Sequence, residues 1–235
     1  MTSLASVMRS TLLSLPEVGR LASLRRSTSL YSQGQTADSV YFIEDGLIKL
    51  TRMNTVGNRI ILSICGPGHL VGIEVLSGEP RTYYTEAEVL TPATAYRIPQ
   101  HTVTAAMSGS TELSAALVAY LLDRGQVLAS KVELLCLHDV EFRILSCLAE
   151  LSALVKQGPD GDGYQLPITQ LELADMIGAT RETTSTTLNQ LERRGLVKLS
   201  RRLLTIPSPD TLRDAASARL SLEEQAAPMP VKSAP

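Results

Sequence analysis

The string ITQLELADMIGATRETTSTTLNQLERRGLVKL, residues 168–199, decides the fold of this 235-residue chain. Its apolar spacing predicts two short helices, over residues 170–177 and 181–194, with Gly178 between them. A helix-turn-helix needs a small residue where the helices cross, a glycine in the tight turn and apolar side chains that lock the pair. Ala174, Gly178 and the set Leu171, Leu173 and Ile177 supply these, with Leu188 and Leu191 on the second helix. Thr180 stands where a hydroxyl caps that helix by accepting an amide hydrogen bond. Arg181, Glu182 and Ser185 then project from its first turns, the part of such a helix that meets base edges in a DNA major groove. Arginine donates a bidentate pair to guanine O6 and N7, and glutamate accepts from cytosine N4. Thr184 and Thr187 occupy positions where such a helix usually buries aliphatics, so their hydroxyls must return to a carbonyl one turn back.

Downstream, residues 196–200 and 203–206 read as a two-strand wing flanking Arg201-Arg202. The chain as a whole carries a formal charge of −2, which by itself speaks against a general nucleic-acid binder. The distribution says otherwise. Between residues 181 and 202, Arg181, Arg193, Arg194, Lys198, Arg201 and Arg202 stand against only Glu182 and Glu192. Such an island in a mildly acidic chain points to one local anionic partner. Arg193, Arg194, Arg201 and Arg202 fall where a helix end and a wing tip would meet phosphates. A helical hairpin in an ordinary core is the competing reading, and it leaves both wing and island unexplained.

Upstream the pattern changes. Residues 28–104 carry turn signals every 8–12 residues or so, among them Gln33-Gly34, Asp45-Gly46 and Val56-Gly57-Asn58, which predicts an antiparallel sandwich or barrel. Residues 110–137 contain no proline and repeat apolar side chains every three or four residues, a helix roughly 40 Å long. Its apolar residues spread over more than one stripe, as expected of a core helix in a single domain or of a helix that pairs with a second copy. Residues 140–155 form a further amphipathic helix and 156–163 a glycine-rich loop. The Pro- and Ala-rich tail, 221–235, has too few large apolar residues to pack and is expected to be disordered.

At 44% hydrophobic and 20% charged residues, wholesale disorder is excluded. No run of about 18 apolar residues suggests a membrane span, and the N-terminal apolar stretch, broken by Arg9, Glu17 and Arg20, does not read as a signal peptide. Cys65, Cys136 and Cys147 are odd in number and widely spaced, which suits a reducing cytoplasm rather than a disulfide framework. Cys136 and Cys147 straddle the hinge between domains and read as buried packing residues, the alternative being a thiol switch. His69, His101 and His138 lack metal-ligand spacing, so no metal site is expected.

With these pieces in place, the chain resembles the CRP/FNR family of bacterial transcription regulators over about residues 15–210. The resemblance is carried by GQTADSVYFIEDGLIKL (34–50), GPGHLVG (66–72), SGEPR (77–81), LHDVEFRIL (137–145) and ATRETTSTTLNQLERRGLV (179–197). It implies an α+β chain: an N-terminal helix and double-stranded β-helix (jelly-roll) sensor domain over residues 1–109, a dimerisation helix over 110–137, and a winged helix-turn-helix over 138–220. It further implies a cytoplasmic homodimer on double-stranded, pseudo-palindromic DNA, activating promoters by touching RNA polymerase, for which the 158–163 loop is the candidate surface. Two recognition helices must reach successive major-groove turns about 34 Å apart, so a dimer is required. Arg181 and Glu182 fall on the family's Arg-Glu pair that reads G and C in TGTGA-type half-sites. Thr186 falls where many members carry a further base-reading arginine. Thr169, Gln170, Thr180, Ser185, Arg201 and Arg202 complete the expected DNA-contacting set.

In cyclic-AMP-binding members a Gly-Glu pair holds the ribose and an Arg-Ser/Thr pair the cyclic phosphate. Arg81-Thr82 matches the second pair, and Arg suits a phosphate. The first is broken: Gly72 is followed by Ile73, and Glu74 comes one residue late. The adenine-contacting Thr-Ser on the long helix becomes Leu128-Ala129, which cannot make those bonds. The expectation is therefore a regulator without a cofactor, the alternative being gating by cAMP through Gly72, Glu74, Arg81, Thr82 and Leu128. Any gating would act through the long helix and a hinge near His138-Asp139. A protein-binding sensor module would gain nothing from the basic wing, and no G-x-S-x-G, P-loop or H-E-x-x-H string supports an enzyme.

Overall fold

The computed structural model describes residues 4–226 apart from 78, 159, 160 and 162, and the chain divides into two compact units, Met1–Cys136 and Leu137–Pro235. In chain order the first unit comprises α1 (Leu4–Leu13), β1 (Gly19–Leu24), β2 (Ser29–Tyr31), β3 (Ser39–Asp45), β4 (Ile48–Met53), β5 (Arg59–Cys65), β6 (Leu70–Val71), a 3-10 turn (Ile73–Ser77), β7 (Glu86–Val89), β8 (Ala93–Pro99), α2 (Gln100–Gly109) and α3 (Thr111–Leu137). Among the described residues these strands form two four-stranded antiparallel sheets, ordered β1-β8-β3-β6 and β2-β7-β4-β5. Pairing of first with last, second with next-to-last, and so inward, is the jelly-roll order. Val40, Phe42, Ile48, Cys65, Val71, Tyr83, Val89 and Ile98 belong to its buried core. Leu12, Val103, Leu113, Leu117 and Tyr120 from the helices join the same cluster. That explains why β3 alternates only loosely: five consecutive residues from Ser39 to Ile43 are buried, as in a strand covered on both faces.

Two elements here depart from expectation. β1 lies ahead of residue 28, where strands were expected to begin; its mostly exposed residues show no alternation, and pairing with β8 alone defines it. Residues 100–104, expected as strand, open α2 instead. Pro99 ends the ladder because it has no amide to donate, and Thr102 and Val103 bury one helical face.

The second unit comprises α4 (Val140–Ser152), β9 (Tyr164–Leu166), α5 (Gln170–Ile177), α6 (Arg181–Arg193), β10 (Lys198–Ser200), β11 (Leu203–Ile206) and α7 (Pro209–Ala226), with its strands ordered β10-β11-β9. Ile144, Leu148, Leu173, Ile177, Leu188, Leu191, Leu204 and Leu212 are fully or almost fully buried. The wing therefore has a third strand, β9, too short at three residues to be read from alternation. Asp139 caps α4 through the Phe142 amide at 2.9 Å and pairs with Arg219 of α7. Partial burial works against its charge, but that amide and guanidinium hold the carboxyl below the usual range. α7 also corrects the expected tail: residues 221–226 continue a helix, since Leu222, Glu223, Glu224, Gln225 and Ala226 are good helix formers extending a docked element. Residues 227–235 lie outside the described residues.

The turn between β3 and β4 places Gly46 at φ +83°, where a Cβ would lie 2.4 Å from the Pro92 carbonyl oxygen. Gly57 has φ +93° with open space around it. Gly46→Ala should therefore lower unfolding stability by more than ~3 kcal/mol, and Gly57→Ala by only the backbone strain of about 1–2 kcal/mol. Urea unfolding of both variants compares the two values.

Candidate nucleic-acid interface

The helix pair is built from caps inward. Thr169 Oγ1 accepts from the Glu172 amide at 3.1 Å, and Glu172 Oε2 accepts from the Thr169 amide at 2.9 Å, a reciprocal capping box at the start of α5. Gly178 ends α5 in the left-handed conformation, φ +64°, and returns its amide to the Ala174 carbonyl. Arg143 of α4 donates to the Ile177 carbonyl at 3.3 Å, further fixing that corner. Thr180 Oγ1 then accepts from the Thr183 amide at 3.1 Å and caps α6.

The two threonines inside α6 behave as the chemistry required. Thr184 is fully buried and its hydroxyl donates to the Thr180 carbonyl at 2.9 Å, while Thr187 donates to the Thr183 carbonyl at 2.9 Å. Leu188 and Leu191 fill the inner face. The outer face is left to Arg181, Glu182 and Thr186, all exposed, and Ser185, which is half-buried. Asn189, absent from the expected set, continues this face two turns on from Glu182; only its position seven residues later could have pointed to it. Leu171, expected to lock the helices together, is 46% exposed. Leu173, Ala174, Met176 and Ile177 take the inner face of this two-turn helix, and Leu171 lies off it.

Ser200 pairs with Leu203, so Arg201-Arg202 forms a two-residue turn at the wing tip, with Arg202 at φ +60°. Both side chains are exposed. Thr169, Gln170, Leu171, Arg181, Arg201 and Arg202 border one notch of about 410 Å³, so three arginines converge beside the start of α5. Thr169 and Thr180 contribute chiefly as caps, their hydroxyl oxygens already accepting amide bonds. Arg194 is drawn back onto Glu141 of α4 rather than standing free for a phosphate. Glu192 accepts from the Leu199 amide at 2.7 Å, tying α6 to the wing.

The residues expected to hold an effector lie in the other unit. Gly72 has φ +78°, and a Cβ there would meet the Ser39 carbonyl oxygen at 2.9 Å and the Tyr83 ring at 3.0 Å. Tyr83 stacks on Tyr31 with ring centroids 3.8 Å apart. Its hydroxyl donates to the Ser39 carbonyl at 2.7 Å and accepts from the Ser39 amide at 3.1 Å. Burial raises the hydroxyls of both tyrosines, keeping them protonated. Glu74 accepts from the Tyr84 amide at 2.8 Å. Arg81 Nε donates to Ser77 Oγ at 3.0 Å and its guanidinium pairs with Glu79 at 3.5 Å, leaving the side chain 54% exposed. Thr82 is exposed and bridges to Thr36, and Leu128 is 44% exposed on α3. Ser77 Oγ in turn donates to the Glu74 carbonyl at 3.1 Å, linking Glu74, Ser77 and Arg81, whereas the Leu128 side chain has no hydrogen-bonding group.

Comparison with known proteins finds a known domain in each unit. Residues 21–110 match the cyclic nucleotide-binding domain and residues 142–215 the Crp-like helix-turn-helix domain. The global nitrogen regulator of Synechocystis sp. is 25% identical over 189 residues, covering 80% of this chain and 84% of that one. A CRP-like cAMP-activated global transcriptional regulator of Mycobacterium tuberculosis is 25% identical over 190 residues, again 80% and 84%. Among solved structures, FixK2 from Bradyrhizobium japonicum shares the fold at a TM-score of 0.72 and 18% identity, covering 84% of this chain and 96% of that one. The two domain matches follow one another along the chain as the jelly-roll unit and the winged helix pair do, and the chain belongs to the CRP/FNR family of DNA-binding transcription regulators.

Proposed function

We propose that the chain works as a cytoplasmic homodimer that reads a TGTGA-like palindrome and activates promoters through RNA polymerase, without a cyclic nucleotide. The observation that carries this reading is the uncovered first turn of α6, where Arg181 and Glu182 are exposed and Arg181 borders one notch with the Arg201-Arg202 tip. Thr186 offers no second guanidinium, so one base pair of the half-site is read less strictly. The 158–163 loop, the candidate polymerase surface, lies partly outside the described residues.

Dimerisation is supported by the two stripes of α3. Leu113, Leu117 and Tyr120 are buried in the jelly-roll core. On a different face, Val118, Leu122, Gly125, Ala129, Val132 and Cys136 alternate steps of four and three residues, the heptad spacing of a two-stranded seam, and all are exposed. Small side chains at Gly125 and Ala129 allow close approach of a second copy.

The reading without a cyclic nucleotide is supported by the residues expected to hold one. Glu74 is committed to the Tyr84 amide, Arg81 turns to Ser77 and Glu79, and Leu128-Ala129 offer no side-chain hydrogen bonds. The relatives include both a nitrogen regulator and a cAMP-activated one, so descent alone does not assign a ligand.

Arg181→Gln and Glu182→Gln should each cost about 1–3 kcal/mol of discrimination between the palindrome and a single-base variant, while Thr186→Arg should add a comparable amount at its own step. Half-site selection on the purified protein reads all three, and unchanged preferences in the first two would overturn the reading. Arg202→Gly should relieve about 1 kcal/mol of backbone strain yet weaken DNA binding and flatten its salt dependence by about one ion. A thermal melt combined with salt-titrated binding separates the two effects. Cys136, expected to pack inside, is instead exposed near the end of α3, while Cys65 and Cys147 are buried, so a parallel dimer would bring Cys136 against its counterpart. Mild oxidation should therefore give a covalent dimer that Cys136→Ser abolishes, and a dimer by light scattering that never crosslinks would exclude the parallel seam.

A further inference from the structure

Among the described residues of α3, burial ends at Tyr120. The Tyr120 hydroxyl, which burial pushes up to about 12, accepts from the Leu70 amide at 2.9 Å and donates to the Leu70 carbonyl at 3.0 Å. Beyond it, seventeen residues of helix carry no buried side chain, and Val127 and Leu128 are exposed. Polar groups of this half reach back to the jelly roll. Arg124 Nη2 donates to Ser63 Oγ at 2.8 Å, and Lys131 Nζ donates to the carbonyls of Ile61 and Leu62 at 2.8 and 3.0 Å.

The receiving strand is made for this. β5 is the edge of its sheet, and its ladder with β4 skips a residue: Leu50 pairs with Ser63 and Thr51 with Ile61, leaving Leu62 bulged. A bulge re-aims backbone groups, and an edge strand presents carbonyls that no neighbour takes up. Arg124 and Lys131 are seven residues apart, two helical turns, and so address this short segment from one side of α3. That side differs from the one carrying Gly125, Ala129, Val132 and Cys136, so the same contacts set the rotation at which the seam is presented.

We propose that Arg124 and Lys131, with the Ile61–Ser63 bulge, form a built-in latch that holds the second half of the long helix on the sensor domain. They are positioning residues for DNA binding. The inference rests on the ligand-free reading above, because the latch makes unaided the helix-to-sheet link that a bound nucleotide would otherwise supply.

The test uses the full chain. Arg124→Met and Lys131→Met keep the aliphatic stems and remove the donors; Lys131→Arg keeps a donor. In the double Met variant, amide exchange over residues 121–137 should accelerate at least tenfold at equal protein concentration, with α4–α7 unchanged. DNA binding to the palindrome without nucleotide should weaken about tenfold, and Lys131→Arg should retain most of both. Unchanged exchange over 121–137 would overturn the latch while leaving the ligand-free reading intact. Tightening of wild-type DNA binding by added cAMP would instead overturn the ligand-free reading, and with it the latch as a substitute for a ligand.

Discussion

A helix offered to another molecule must keep its first turn satisfied yet uncovered. Four amide groups at any helix start lack partners within the helix, and a bulky cap would hide the side chains meant to face outward. Here the cap is a single threonine hydroxyl, Thr180 on the Thr183 amide, reached through a glycine turn at φ +64°. The inner threonine, Thr184, closes on the Thr180 carbonyl and so buries its methyl without an unsatisfied hydroxyl. Arg181 and Glu182 are free to point away from the protein because nothing about the fold of α6 needs them. The start of α5 solves the same problem with Thr169 and Glu172, whose buried carboxylate is tolerated because it accepts the Thr169 amide.

The charge of the interface follows from which groups are engaged elsewhere. Glu192 binds a backbone amide of the wing and Glu141 binds Arg194, so neither carboxylate opposes an approaching phosphate freely, and Arg194 is likewise committed. Arg181, Arg201 and Arg202 remain around the notch. Arg202 holds a left-handed backbone that glycine or asparagine would adopt more easily, strain that is consistent with the guanidinium mattering more than the turn.

The sensor unit shows a parallel division of labour. Apolar packing anchors the first half of α3, Arg124 and Lys131 make polar contacts from the second, and a third stripe is exposed. At Gly72 the Tyr31–Tyr83 stack and the Ser39 carbonyl occupy the space a Cβ would need, and φ is positive, which is why no side chain is accommodated there.

Much of this was readable from local chemistry. Caps, glycine turns and apolar spacing act within a few residues, so 170–177, the start of α6 at Arg181, the long helix to Leu137 and the threonine back-bonds could all be derived from neighbours in the chain. Elements defined by distant partners could not. β1 has no alternation and exists through β8, β9 is three residues long and exists through β11, and α7 runs past residue 220 on a helix already paired with Asp139. The same holds within the sites: the Arg-Glu pair was identifiable by type and position, but the retreat of Arg194 to Glu141, the exposure of Leu171 and the reach of Lys131 to a bulge seventy residues away were not. Spacing along a chain reports what a residue can do within a turn or two of helix; which long side chain finds which carbonyl depends on surfaces that meet only once the chain has folded.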